Sequence, residues 1–230
     1  MVKRIVIMAF VLLVCRSNVH GAAQGSTSSD SVCGQGSGEC VRSIIHPDQC
    51  LRAALECSPG LLRMVAVYAA LKNGADPNMV CSGGIIGRPL HILANDYVQA
   101  VCLAELLCQH GAALEAKAKG GLGPLHLAAK FRNYNYAQFL LQKGADVNAQ
   151  SRTFFTPLAW AVNNSDIKMV QLLLEHGASV MVQGRDGRTV FSYCVDNDIR
   201  ELLEEYYEKE KQKEKEAEEF KEKLMSAVFD

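Results

Sequence analysis

The sequence lacks an excess of either charge: 24 Lys+Arg stand against 25 Asp+Glu, a formal net charge of −1. Such a balance gives no electrostatic drive toward nucleic acid or an anionic membrane surface, so neither is expected as a partner. Aromatic residues are scarce at 7 %, with a single tryptophan, Trp160. The patterns of common chemistry are missing as well. There is no Ser-His-Asp order, Gly-x-Ser-x-Gly, His-Glu-x-x-His or phosphate-binding glycine loop, so no hydrolase or nucleotide site is flagged. Nine cysteines are present, yet no Cys-x-x-Cys pair or Cys/His spacing of a zinc site occurs. The expectation is therefore a protein without catalytic residues, cofactor or metal.

What is present begins at the N-terminus. Lys3 and Arg4 form a basic start, and Ile5 to Cys15 is an apolar run without a charge. The run is about ten residues, roughly half of what a bilayer-spanning helix needs. A short polar stretch, Arg16 to His20, then leads to the small residues Gly21, Ala22 and Ala23. That is the layout of a secretory signal peptide over residues 1–23, cleaved after Gly21 or Ala23. A lipoprotein signal acylating Cys15 would want a small residue where Val14 stands, and an uncleaved anchor would want a longer apolar run. The chain is expected to be exported to a periplasm, secretory lumen or extracellular space, with no stable membrane span after cleavage.

Cleavage removes Cys15 and leaves eight cysteines, an even number suited to an oxidising compartment. Cys33, Cys40, Cys50 and Cys57 crowd together, and disulfides among them would staple the start of the folded region. Residues 24–46 are rich in Ser and Gly at their start and read as a linker.

Beyond the linker the chain repeats itself. Gly74-Ala75-Asp76-Pro77-Asn78, Gly111-Ala112-Ala113-Leu114-Glu115, Gly144-Ala145-Asp146-Val147-Asn148 and Gly177-Ala178-Ser179-Val180 end four segments, with glycine spacings of 37, 33 and 33. A second mark keeps step with them: Pro89-Leu90-His91, Pro124-Leu125-His126, Thr156-Pro157-Leu158 and a degraded Thr189-Val190-Phe191, spaced 35, 33 and 33 at the Pro position. Proline at a first helical position costs no hydrogen bond, and Thr156 and Thr189 stand where a cap belongs. Ile167, Val170, Leu173 and Leu174 form a stripe at helical spacing, and Gly144 and Gly177 follow where a left-handed residue ends a helix.

These marks resemble the ankyrin repeat, and the resemblance covers residues 47 to about 207. It implies an all-α solenoid of about five helix-turn-helix units, with the fifth a degraded C-terminal cap. The first unit runs from about Pro47 to Met79, and the second, to about Lys117, carries two extra residues near Ile85-Ile86. The third and fourth end near Gln150 and Gln183. The resemblance also implies that His91 and His126 are structural, bonding backbone between adjacent turns. His110 and His176 precede terminal glycines, where positive charge suits the helix dipole. Gly83-Gly84 and Gly120-Gly121 fall at turns between units and serve the backbone.

A repeat protein of this kind binds a protein partner through its turn tips and first helices. Phe154 replaces the expected turn glycine, beside Phe155, and the adjacent helix carries Trp160. The third unit offers Phe131, Arg132 and Tyr134, and the fingers add Lys119, Arg152 and Arg185. Aromatic groups rimmed by arginine have the composition of an interface hot spot. The other reading is that Phe155 and Trp160 pack between units. Residues 208–230 form a charged segment: Glu208 to Glu216 contains only Glu, Lys and Gln, a solvated helix supported by charge pairs three and four apart or else disorder, and a stripe returns at Ala217, Phe220, Leu224 and Val228. This helix either folds back onto the last repeat or docks on a partner, including another copy of an assembling scaffold.

Overall fold

In the computed structural model, residues 46–56, 60–82, 86–153, 155–184 and 187–229 are described. The expected signal peptide, Cys33, Cys40, Cys57, Gly83, Gly84, Phe154 and Arg185 lie outside them, as does most of the linker. The described chain is a stack of helix pairs. Helix α1 (Pro47–Glu56) pairs with α2 (Leu61–Lys72), α3 (Pro89–Leu93) with α4 (Ala100–Gln109), α5 (Pro124–Lys130) with α6 (Tyr134–Gln142), and α7 (Pro157–Asn163) with α8 (Ile167–Glu175). The fifth unit has a 3-10 turn, Val190–Tyr193, followed by α9 (Asn197–Phe229). First helices stack on first helices and second on second, so one apolar core runs the length of the stack. The result is the all-α solenoid that the repeats predict. In the second unit β1 (Cys81–Ser82) pairs antiparallel with β2 (Ile86–Gly87).

Local chemistry sets each boundary. Pro89, Pro124 and Pro157 open α3, α5 and α7, where a missing N–H is no loss. Two of the second helices, α6 and α8, are capped by side chains: Asn133 Oδ1 accepts from the Tyr136 N–H and Asp166 Oδ1 from the Met169 N–H. The second helices of the first four units then close alike. The N–H after the terminal glycine donates to the carbonyl five residues back: Ala75 to Ala70, Ala112 to Leu107, Ala145 to Leu140 and Ala178 to Leu173. This closure needs a left-handed residue, and Gly144 and Gly177 adopt φ of +88° and +87°.

The degraded fifth unit differs. Thr156 caps α7, its Oγ1 accepting from the Ala159 N–H at 3.2 Å. Thr189 makes no such cap, because the N–H of Ser192 bonds the Thr189 carbonyl instead and closes a 3-10 turn. No break marks residue 208: α9 continues through it, and residues 211–225 are all exposed. The chain does not fold back onto the last repeat there.

Candidate protein-interaction site

Two ladders of cross-unit bonds lie at opposite ends of the first helices. At the finger end, which precedes each proline, the Arg152 N–H donates to Gly120 O at 2.9 Å. At the other end, in the turns between paired helices, Arg132 donates to Asn164 O, and Asn133 Nδ2 donates to Asp96 O at 2.9 Å. The Tyr97 hydroxyl also donates to Phe131 O in this second ladder. Arg132, with φ of +58°, therefore belongs to an interhelix turn, and Tyr134, 39 % exposed, opens α6 beside it, both away from the fingers.

The finger between the third and fourth units is pinned at Phe155. Its N–H donates to Ser151 Oγ at 3.0 Å, and its carbonyl accepts from the Ser151 N–H at 3.1 Å. The same carbonyl accepts from His126 Nε2 at 3.0 Å. His126 Nδ1 takes the Gly123 N–H at 3.2 Å, so the proton of the neutral ring sits on Nε2 and is donated to the next unit. His91 repeats the arrangement between the Arg88 N–H and Leu122 O. Both rings are buried. Burial, with the Lys117 charge adding to it, pushes His126 down to about 4, and burial lowers His91 in the same direction. These are the structural histidines that the resemblance implies.

Held in this way, the Phe155 ring meets Trp160 at 5.2 Å and Tyr193 at 4.9 Å, both edge-to-face. The fourth and fifth units thus share one ring cluster. The Lys130 ammonium lies 5.0 Å from the Trp160 ring centre and 5.8 Å from that of Phe131. Phe155 and Trp160 do pack between units, yet both rings, like Phe131 and Tyr193, stay only partly buried. Among the described residues Lys119, Lys130 and Arg152 are exposed and have no carboxylate partner. The surface therefore presents partly exposed rings beside unpaired cations.

Of the residues singled out from sequence, the structure brings Phe155 and Trp160 into ring contact, links Phe131 to Trp160 through the Lys130 ammonium, and sets Arg152 in the adjoining finger. It places Arg132 and Tyr134 at the other end of the helices. Lys130 and Tyr193 are members that sequence reading missed. A register signal marks Tyr193: it stands four residues after Thr189, as Trp160 stands four after Thr156. His110 and His176 form the C-caps of α4 and α8, and His176 Nδ1 lies 2.9 Å from Leu172 O. Among the described residues no cluster of His, Cys, Asp and Glu fits a metal, and no helix is long and apolar enough to cross a membrane.

The family model for ankyrin repeats (three copies) matches residues 33–151, and that for a single ankyrin repeat matches residues 154–185. No curated protein matches the chain. Ankyrin-repeat proteins are typically binding modules without catalytic activity, and their repeats generally serve protein–protein interaction. With the first match alone covering more than half of the sequence and the stacked helix pairs laid out above, the chain belongs to the ankyrin-repeat family.

Proposed function

We propose that this chain is exported and captures a protein partner on the first-helix face of its third to fifth units. The observation that carries the reading is the ring cluster of Phe155, Trp160 and Tyr193 with Lys130 laid over it. A hot spot is an aromatic anchor held rigid before binding and bordered by charges that still lack a partner. Phe155 is pinned through both its backbone groups, and Lys119 and Arg152 stand unpaired in the adjoining fingers. Phe131, at the end of α5, extends the apolar part of the surface.

The test is capture by the immobilised full chain, compared between two variants. Phe131→Ala/Lys130→Ala/Arg152→Ala alters the proposed face, and Lys168→Ala/Gln171→Ala alters exposed positions of α8. Loss of one captured protein with the first variant alone supports the reading; retention with the first overturns it. Export rests on the N-terminal pattern from Lys3 to Ala23. Intact mass of the protein recovered outside the producing cell checks it, since a retained N-terminus would sink the export reading.

A second reading has one observation in its favour. Cys81, Cys102, Cys108 and Cys194 are free thiols, and Cys102 is exposed. Exposed free thiols suit a reducing compartment, as for an effector delivered into another cell's cytosol. Alkylation of the unreduced protein separates the two: four or more labelled thiols favour the effector, and few favour residence in an oxidising space.

A further inference from the structure

Helix α9 is 33 residues long, about 50 Å at helical rise, and only its first part has a place to pack. Ile199 and Leu203 are buried against the fourth unit, where α9 meets α8. The same three-and-four rhythm then continues through Tyr206, Glu210 and Lys213 to Ala217, Phe220 and Leu224. In this second stretch the seam has no cover: Phe220 is 68 % exposed and Leu224 57 %. An apolar seam on a projecting helix, sustained at heptad spacing, fits a partner helix.

We propose that the partner is a second copy of this chain, paired in parallel and in register along the seam from Ala217 onward. The charges beside the seam decide both identity and direction. In a parallel pair, Glu216 of one copy faces Lys221 of the second, and symmetry makes the contact twice. An antiparallel pair that sets Phe220 against the second copy's Leu224 instead opposes Lys221 with Lys221 and Lys223 with Lys223. The antiparallel frame that mends those charges, Glu216 with Lys223, sets Leu224 against Lys213 and so loses the apolar layer. Only the parallel frame keeps Phe220 on Phe220 and Leu224 on Leu224 as apolar layers and matches acids to bases as well.

The seam is short, and isolated helices of such length are marginal in water. Here the helix is already started by the buried turn at Ile199 and Leu203, so the nucleation cost does not fall on association. The like charges that a parallel pair would bring together at Glu210 and Lys213 keep the two helices apart nearer the repeats. The repeat domains and their first-helix faces remain free. A lipid surface is the other taker for an apolar stripe, but interfacial helices flank theirs with Lys and Arg, whereas Glu216, Glu218, Glu219 and Glu222 crowd this one.

Sedimentation equilibrium of the full chain tests the pairing. The average mass is expected to rise with concentration from that of one chain toward twice that value. Phe220→Ser/Leu224→Ser should hold it at one chain, with an unchanged melting transition of the repeats. Lys221→Glu should weaken association at least tenfold, and Glu216→Lys added to it should restore it. Wild-type protein that stays at one chain throughout overturns the proposal. So does Lys221→Glu that leaves association unchanged, since the antiparallel frame only exchanges a Lys–Lys contact for a Glu–Glu one, or a single-chain protein that binds anionic vesicles through Phe220 and Leu224.

Discussion

His126 Nε2 lies 3.0 Å from the carbonyl oxygen of Phe155, so a buried ring of the third unit holds the residue whose side chain organises the candidate surface of the fourth. Burial of this ring makes the surface sensitive to acid. His126 is pushed down to about 4 from its ordinary 6.5, first by burial and then by the Lys117 charge. Protonation would put a second donor on Nδ1, against the Gly123 N–H. The folded state therefore keeps the ring neutral, while the unfolded chain takes a proton below about 6.5. The stability from this group is complete above that pH and is lost as pH falls toward 4, by about 3 kcal/mol at most. Urea midpoints at pH 7.5 and 4.5 check it. His126→Gln should be less stable than wild type at the higher pH and should lose less between the two. His91, shifted in the same direction, leaves the variant some remaining acid sensitivity.

A second buried bond ties units together without a charge. The Tyr136 hydroxyl donates to Leu90 O at 2.6 Å, and the side chain is wholly buried. Leu90 is in α3, a five-residue helix, so its carbonyl depends on partners from outside. Tyr136→Phe keeps the ring and deletes the donor, and should cost about 1–2 kcal/mol. The loss should be the same at pH 7.5 and 5.5, which separates it from the histidine effect.

Much of this fold was legible because it is written in residues with backbone consequences. Proline at Pro124 and Pro157 and glycine at Gly144 and Gly177 each determine local dihedrals, and two such marks in step give the repeat. His91 and His126 were legible only through the family resemblance. The grouping of the candidate site was not legible. Phe131 and Arg132 share the turn between α5 and α6, but the Phe131 ring lies beneath Lys130 while the Arg132 side chain reaches Asn164 O of the next unit. Lys130 reads as an ordinary helix-end lysine until Trp160 of the next unit comes beneath it. The continuity of α9 was hidden for another reason: a run of Glu, Lys and Gln reads equally as solvated helix or as disorder, and its pairs, such as Lys209 with Glu205 at 2.6 Å, show only in three dimensions.

Two glycines should respond differently to the same substitution. At Gly144 an added Cβ meets nothing within 4 Å, so Gly144→Ala carries only the strain of a φ of +88°, about 1 kcal/mol. At Gly121 the φ is +75° and a Cβ would stand 2.8 Å from the Arg152 backbone nitrogen. That contact cannot be relieved by a side-chain rotation, since its partner is the adjacent finger's backbone. Gly121→Ala should lose more stability than Gly144→Ala, and it should also weaken partner capture by shifting Arg152. Chemical denaturation and the capture assay, run on both variants, check the order; equal stability losses would show that the fingers are not packed in this way.

Trp160 combines a packing role with an exposed face, and its variants should separate the two. Its indole Nε1 is buried without a hydrogen-bond partner, a cost of about 1–3 kcal/mol that a phenyl ring would not carry. Trp160→Phe should therefore stay within about 0.5 kcal/mol of wild type despite its smaller ring. Trp160→Ala removes the contact with Phe155 as well and should cost about 2 kcal/mol, below the range for a fully buried ring because this one is only partly buried. As the chain has one tryptophan, its emission reports on this surface alone. Lys130→Ala uncovers the ring face that the ammonium occupies at 5.0 Å, so acrylamide should quench the emission more strongly in that variant. Saturation with a captured partner should reverse the gain if the partner covers this face, whereas unchanged quenching on binding would move the interface to another part of the solenoid.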